Sequence, residues 1–181
     1  MKKEKRLIKY EFVSAIFSMI LGTLLHFTYD WSDKNTFVGI FSAINESTWE
    51  HLKILFFPIL ITTIIGYFYT KKETDNYICY KVKGLLLSII FTTVFFYTYN
   101  GVLGSNILIL DISSFYASII LGEVYTIKQI KKKEKCNQKV TAFILILLTI
   151  SFVVYTFYTP HIGIFKDPLS NTYGIYKRLY G

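Results

Sequence analysis

Long hydrophobic runs alternate with short polar segments along the whole chain. The runs cover residues 12–31, 49–69, 82–99, 107–127 and 140–158. Each has about the 20 residues that a helix rising about 1.5 Å per residue needs to cross a hydrocarbon layer roughly 30 Å thick. The pattern predicts an all-α fold, a polytopic bundle of five transmembrane helices in a single membrane domain over residues 1–181, with a tail over residues 159–181.

Basic residues cluster at one end of the predicted bundle. Three segments hold most of the 20 lysines and arginines: Lys2, Lys3, Lys5, Arg6 and Lys9; Lys71, Lys72, Lys81 and Lys83; and Lys128, Lys131, Lys132, Lys133, Lys135 and Lys139. Short loops rich in lysine and arginine stay in the cytoplasm. We therefore expect the N-terminus inside, the C-terminus outside and the tail on the outer side of the membrane.

Composition and charge favour a lipid environment. Hydrophobic residues make up 52% of the chain, and the formal net charge is +8. Anionic lipid headgroups attract basic loops, so membrane lipids account for this charge and we expect no nucleic-acid partner. Cys79 and Cys136 fall in predicted cytoplasmic loops without a second cysteine at metal-binding spacing, so we expect inert, reduced thiols.

Polar and ionisable residues collect at the predicted outer end of the helices. The histidines are His26, His51 and His161, and the polar groups near the same level are Asp30, Glu46, Glu50, Asn100, Asp111 and Asp167. Ionisable groups at the edge of a hydrocarbon layer are costly unless they are paired, hydrated or functional. The pattern indicates an outward-facing polar pocket, open to a lipid or small-molecule ligand.

The segment NESTWEH has a structural explanation for most of its polar residues. Ser47 and Glu50 match a capping box, in which Ser47 accepts a hydrogen bond from the Glu50 backbone and the Glu50 side chain bonds back to Ser47. Asn45 is an alternative cap, and Lys53 can extend its ammonium group toward the interface. The capping interpretation leaves His51 unexplained.

A shared metal site is the sharper hypothesis for these residues. The candidate ligands are His26, Glu46, His51 and His161. Imidazoles, carboxylates and water are the usual ligands of zinc, which lowers the pKa of a bound water to about 7. The candidate catalytic residues beside the metal are Glu50, Ser47 and Asp111. The histidines lack H-E-x-x-H spacing, so the pattern alone does not require a shared metal.

The tail is expected to carry His161 toward the other histidines. A residue before proline is disfavoured in helical geometry, so Pro160 should end the fifth helix. Residues 161–175 would then fold back over the outer end of the bundle. The predicted apolar anchors of this lid are Ile162, Ile164, Phe165 and Leu169.

Two further features bear on function. Glu123, near the inner end of the fourth run, is expected to pair with cytoplasmic lysines. A transporter is a third option with less support, because the chain shows no inverted repeat and Pro58 is the only proline within a run.

Two blocks of the chain resemble a known group of proteins. LHFTYDWSDKNTFVGIFSAINESTWEHLKILFFP, residues 25–58, and YTPHIGIFKDPLSNTYGI, residues 158–175, are the most specific parts of a likeness that covers essentially the whole chain. The group consists of bacterial multi-helix membrane proteins, mainly from Firmicutes, described only as a domain of unknown function. The resemblance implies a multi-pass protein of a Gram-positive plasma membrane and implies no activity.

A weaker likeness extends to alkaline ceramidase and progestin-receptor-like membrane hydrolases. Their zinc site uses a Ser-x-x-x-His helix, an aspartate and a His-x-x-x-His helix. Ser47 and His51 match the first element and Asp111 could stand in for the second, but the third element is absent. His26 would have to supply the missing ligand, so this likeness is chemical analogy.

Two hypotheses of different classes follow from the sequence. In the first, the protein is a metal-dependent hydrolase of a lipid or envelope substrate at the outer leaflet. In the second, it is a non-catalytic membrane protein whose outer polar cluster is a structural plug, a ligand pocket or a surface that docks a partner.

Overall fold

A computed structural model describes residues 2–70 and 74–175 of the chain, and the regular secondary structure of these residues is helical, with one isolated β-bridge between Lys166 and Tyr173. Its helices are α1 (Lys2–Trp31), α2 (Thr36–Gly39), α3 (Thr48–Thr70), α4 (Tyr77–Leu103), α5 (Leu108–Lys132) and α6 (Gln138–Phe157), followed by a 3-10 turn over Gly163–Phe165. Every helix except α2 is long and apolar enough to cross a membrane. The predicted all-α fold with five membrane-spanning helices is confirmed.

The helices extend beyond the hydrophobic runs at the lysine-rich end. α1 begins at Lys2, α5 continues to Lys132, and α4 begins at Tyr77. Lys81 therefore lies inside α4, where its side chain is buried, and its placement in a cytoplasmic loop was wrong. A hydropathy pattern places charged residues outside membrane helices. Lys81 can lie inside α4 because buried acidic side chains pair with it.

Four of the long helices form a ring, and α6 packs against its α3–α4 side. α1 contacts α3 and α5, α4 contacts α3 and α5, and α6 packs on α4. α3 is the most deeply buried, and Pro58 does not interrupt it. The central apolar cluster contains Leu52, Leu55, Phe56, Phe57, Ile59, Leu85, Ile119 and Phe152.

α1 has an exposed apolar face and a buried polar face. Its exposed apolar residues include Phe12, Val13, Ile16, Phe17, Ile20 and Leu24. Its buried face carries Glu11, Ser14 and Ser18, at the i, i+3 and i+7 spacing of one helical face. The apolar face suits a lipid environment, and the polar face is turned into the bundle.

The tail folds back onto the start of α3, as the sequence predicts. The Phe165 side chain is buried, with its ring 4.6 Å from the Trp49 ring, and the Asn45 amide donates a 3.0 Å hydrogen bond to the Gly174 carbonyl. Ile164 also packs on the central cluster. Ile162 and Leu169 are exposed instead of anchoring the lid, so that part of the prediction was wrong.

The fold brings together two cysteines that the sequence treats as separate, inert thiols. Cys79, near the start of α4, and Cys136, between α5 and α6, form a disulfide whose Cα atoms are 6.3 Å apart, within the usual disulfide range. The Tyr80 hydroxyl donates to the Glu134 carbonyl at 3.0 Å and holds this connection over α4. The cysteines lie 57 residues apart, so only the fold brings them together.

Candidate metal centre

Three of the predicted ligands meet at one end of the bundle. His26 comes from α1, Glu46 from the connection between α2 and α3, and His51 from the first turns of α3. One ligand atom from each residue lies within 4.8 Å of the other two. The group could hold a metal ion.

The separations suit a small metal ion after a modest adjustment of the side chains. Glu46 Oε2 lies 3.5 Å from His51 Nε2 and 3.9 Å from His26 Nε2. In a tetrahedral zinc site with bonds of about 2.0–2.1 Å, neighbouring ligand atoms are about 3.3 Å apart. Three protein ligands would leave one tetrahedral position for water or substrate, which is the arrangement of catalytic zinc.

The backbone of α3 orients His51 for this group. His51 Nδ1 is 3.0 Å from the carbonyl oxygen of Ser47, and because a carbonyl only accepts, Nδ1 must carry the hydrogen. In the neutral ring, His51 Nε2 is then the acceptor nitrogen, and it faces Glu46. Metal-binding histidines commonly donate their other ring nitrogen to a carbonyl or carboxylate in this way.

His26 is less constrained. Its ring meets the His51 ring edge to face at 5.3 Å, and its Nδ1 is buried without a hydrogen-bond partner. An unpartnered buried nitrogen of this kind is uncommon, because burying a polar atom without a hydrogen bond is costly. The group is therefore not fully satisfied by the side chains that form it.

Hydrogen bonds fix the turn that carries Glu46. Asn45 Oδ1 accepts from the Ser47 N–H at 2.9 Å, and Ser47 Oγ accepts from the Glu50 N–H at 3.4 Å, which confirms one arm of the predicted capping box. The predicted hydrogen bond from the Ser47 backbone to the Glu50 side chain was wrong, since Glu50 Oε2 accepts from the Ile44 N–H at 3.0 Å. The turn is thus held on both sides of Glu46.

A buried ion pair lies beneath this turn. Lys53 Nζ is 2.5 Å from Glu50 Oε2, 2.8 Å from the Gly39 carbonyl and 3.1 Å from Thr156 Oγ1. All three ammonium hydrogens therefore have acceptors, and both charged side chains are buried. The pair ties α2, α3 and α6 together and already engages one oxygen of the proposed base Glu50.

The remaining predicted site residues have other partners. His161 stacks on Tyr173, with ring centroids 4.6 Å apart, and is not part of the three-ligand group. Asp111 accepts a hydrogen bond from the Tyr99 hydroxyl. Asp167 organises a turn in the tail by accepting from the Leu169 backbone and the Ser170 hydroxyl.

Two candidates remain to be placed. Asp30 is exposed near the end of α1. Asn100 lies in the last turn of α4, where its carbonyl accepts from the Gly104 N–H at 2.8 Å. From the predicted set, the structure brings together His26, Glu46 and His51, and the Ser47 carbonyl accepts a hydrogen bond from His51 beside them.

The three ligands are reachable from outside the protein and adjoin aromatic residues. The exposed fractions of the side chains are 28% for His26, 31% for His51 and 40% for Glu46. Beside His26, the exposed rings of Phe27 and Trp31 stack at 5.7 Å. Exposed aromatic side chains at a helix end are typical of a membrane–water interface.

Sequence reasoning missed a second ionisable cluster at the opposite end of the bundle. Lys81 Nζ lies 2.9 Å from Glu11 Oε2 and 2.5 Å from Glu123 Oε1, and all three side chains are buried. Glu123 was expected to pair with a lysine, and it does, but within the bundle. Glu11 could have been found from its i, i+3 and i+7 spacing with Ser14 and Ser18.

Comparison with known proteins gives a family but no activity. A protein-family model described as a family of unknown function (DUF6512) matches residues 1–175. Comparison with curated proteins and comparison with solved structures each found no match. The family match confirms the predicted resemblance to proteins of an uncharacterised family.

Proposed function

We propose that this chain, which belongs to the family of unknown function DUF6512, binds zinc through His26, Glu46 and His51 and uses it to hydrolyse a lipid or envelope substrate. The observation that carries the proposal is the carboxylate of Glu46 placed between two imidazole Nε2 atoms. Its place at one end of a bundle with membrane-spanning helices supports a site at the membrane surface.

The chemistry of the ligands favours zinc over calcium or magnesium. Two imidazoles with one carboxylate suit zinc and other late transition metals, whereas calcium and magnesium prefer oxygen ligands. The Ser47 carbonyl supports the choice because it keeps the His51 Nε2 lone pair available.

The protein residues have separate roles in this proposal. Zinc would supply an activated water at the position that the protein leaves open. Ser47 orients His51, and Glu50 acts as a positioning residue through Ile44 and Lys53. This replaces the expected base role of Glu50, since Lys53 and the Ile44 N–H already engage its Oε2 atom.

The surroundings of the site favour a substrate at the membrane surface. The ligands are partly exposed, and the rings of Phe27 and Trp31 beside them are exposed as well. A lipid headgroup or its acyl linkage could approach along the aromatic rings without crossing the bundle. The lysine distribution supports the outer leaflet of a bacterial plasma membrane as the place of this chemistry.

Metal content measured by mass spectrometry on detergent-purified protein tests the proposal. The wild type should carry close to one zinc per chain, and His26→Ala and His51→Ala should each lose nearly all of it, because two remaining ligands bind zinc weakly. His161→Ala is the matched control and should keep its zinc, since His161 stacks on Tyr173 outside the group.

A second measurement tests the hydrolase part separately. In liposomes of phosphatidylglycerol and phosphatidylethanolamine, release of fatty acid or headgroup should depend on zinc and disappear in His51→Ala. A folded wild type that neither contains nor takes up zinc would overturn the whole proposal. Bound zinc without release from these lipids would remove the claim that they are substrates and direct the search to other envelope substrates.

The non-catalytic alternative rests on the same distances. If both imidazoles are protonated, Glu46 forms ion pairs with His26 and His51 at 3.9 and 3.5 Å without a metal. The cluster would then be a structural plug that pins the Glu46 turn between α1 and α3. This alternative predicts a folded protein that contains no metal and does not take up added zinc.

A further inference from the structure

The buried cluster of Glu11, Lys81 and Glu123 has more acceptors than donors. Lys81 Nζ bonds Glu11 Oε2 and Glu123 Oε1, while Glu11 Oε1 and Glu123 Oε2 are buried without a hydrogen-bond partner. One ammonium group therefore holds both carboxylates, and each keeps one buried oxygen without a donor. Two ionised carboxylates held by the same ammonium group repel each other, and one added proton removes that repulsion.

The charges of the cluster do not balance without an added proton. Two carboxylates and one ammonium group carry a net charge of −1 when all are ionised. The three side chains come from α1, α4 and α5 and are at most 7% exposed, so water cannot screen the excess charge. An unbalanced charge in such surroundings is costly, and buried groups commonly bind or release a proton to avoid it.

Within the described residues, the ion pairs of Glu11 and Glu123 are both made with Lys81. Tyr10 on α1 and Tyr77 on α4 are titratable groups that adjoin the cluster, and Tyr77 Oη is buried without a hydrogen-bond partner. From α3, the apolar side chain of Ile59 lines the small cavity beside Lys81 and Glu123. A proton is therefore the cation that fits the space.

The second buried ion pair of the molecule provides a contrast. Glu50 and Lys53 are one acid and one base, and the ammonium group has three acceptors. That pair is electrically neutral without a proton. The difference in charge balance separates the two clusters although both are buried.

We propose that Glu11 and Glu123 share one proton beside Lys81 and so form a proton-binding site inside the membrane-spanning bundle. The proton gives each carboxyl group a hydrogen-bonding partner and makes the cluster neutral. Ionisable groups held within membrane-spanning helices commonly mark proton pathways, and this one lies on the same face of α1 as the buried hydroxyls of Ser14 and Ser18. The site is independent of the metal ligands at the other end.

Infrared spectroscopy of the purified protein in liposomes detects the proton directly. A protonated carboxylic acid has a carbonyl stretch separate from the carboxylate bands, and ¹³C-labelled glutamate shifts it. At neutral pH the wild type should show a protonated glutamic acid. Glu11→Gln and Glu123→Gln should each abolish that signal, because one glutamate and one lysine then form a balanced pair.

Glu50→Gln/Lys53→Met is the matched control, since it removes a buried glutamate together with the lysine that balances it, and it should leave the signal unchanged. If a glutamine variant does not fold, Glu123→Asp in ¹³C-glutamate-labelled protein replaces it and should remove or halve the labelled signal. Absence of a protonated glutamic acid in the wild type would overturn the proposal, as would a signal that persists in both glutamine variants.

Discussion

At the scale of single residues, Lys53 shows how a charge can be accommodated inside an apolar bundle. Its ammonium group is held by Glu50, the Gly39 carbonyl and Thr156, so each of its hydrogens has an acceptor. Breaking a buried pair by removing one partner costs about 3–5 kcal/mol, because the other charge stays buried and unpaired. The pair is therefore a constraint on the turn that carries Glu46.

Lys53→Met should lower the free energy of unfolding by about 3–5 kcal/mol, since Glu50 is left buried without its cation. The double variant Glu50→Gln/Lys53→Met should recover most of this loss, because it removes both charges and keeps an acceptor for the Ile44 N–H. Denaturant unfolding in detergent micelles, followed by circular dichroism, measures both.

Lys128→Met, at an exposed position of α5, is the control for the loss of a lysine as such. It should change stability little, as exposed charges contribute about 0–1 kcal/mol. If Lys53→Met unfolds at the same denaturant concentration as Lys128→Met, the buried pair does not stabilise this end of the bundle.

Some of the candidate site residues could be identified from the sequence alone. His26, Glu46 and His51 stand out because histidines and a carboxylate near the ends of apolar runs need partners. His161 was grouped with them because the tail was expected to reach over the bundle. The tail does return, but the packing of Phe165 on Trp49 decides its path, and no local pattern encodes that contact.

At the scale of elements, the crossing of α4 and α5 depends on two glycines. A Cβ at Gly84 would lie 2.5 Å from the Gly122 carbonyl oxygen, and a Cβ at Gly122 would lie 2.7 Å from the Gly84 carbonyl oxygen. The helix backbones are in direct contact there, and small residues permit such close approach in membrane proteins. This crossing brings Lys81 on α4 near Glu123 on α5.

Gly122→Ala should destabilise the protein by about 1–3 kcal/mol, because the added methyl group forces the two backbones apart. Gly101→Ala is the matched control, since it lies in α4 with nothing within 4 Å of its added Cβ. Thermal unfolding of both variants in the same detergent measures the difference. Equal melting temperatures would show that the helices do not touch at this crossing.

Helix existence was predictable at this scale and helix ends were not. Hydropathy locates apolar runs, and every run became part of a helix. Hydropathy does not extend a helix over charged residues such as Lys2 in α1 and Lys81 in α4. For Lys81 the reason is that its acidic partners come from other helices. α2 was missed because it spans only Thr36–Gly39, and Asn35 caps it locally.

At the scale of the whole molecule, the two ionisable clusters lie at opposite ends of the bundle. The Glu11–Lys81–Glu123 cluster is near the lysine-rich end, and the metal ligands are near the other end, where the tail folds back. We expect the first end to face the cytoplasm, because short lysine-rich segments stay on that side of a membrane. The cysteine pair lies at that same end, and the cytoplasm keeps thiols reduced.

The orientation is tested with reporter fusions in a bacterial host. A green fluorescent protein at the N-terminus should fluoresce, and alkaline phosphatase at the C-terminus should be active, because the basic segments keep the N-terminal end inside. In cells lysed with an alkylating agent, Cys79 and Cys136 should be trapped as thiols and should form the disulfide on later oxidation. A disulfide already formed in cells, with an inactive phosphatase fusion, would reverse the orientation.

The proposed hydrolase depends on zinc held by two imidazoles and one carboxylate at the end of the bundle away from the lysine-rich segments. Zinc-edge X-ray absorption of the purified protein tests this ligand set. We expect four-coordinate zinc with two histidine nitrogens and two oxygens, at bond lengths of about 2.0–2.1 Å. A spectrum without imidazole scattering, or with three imidazoles and hence His161 among the ligands, would contradict the account.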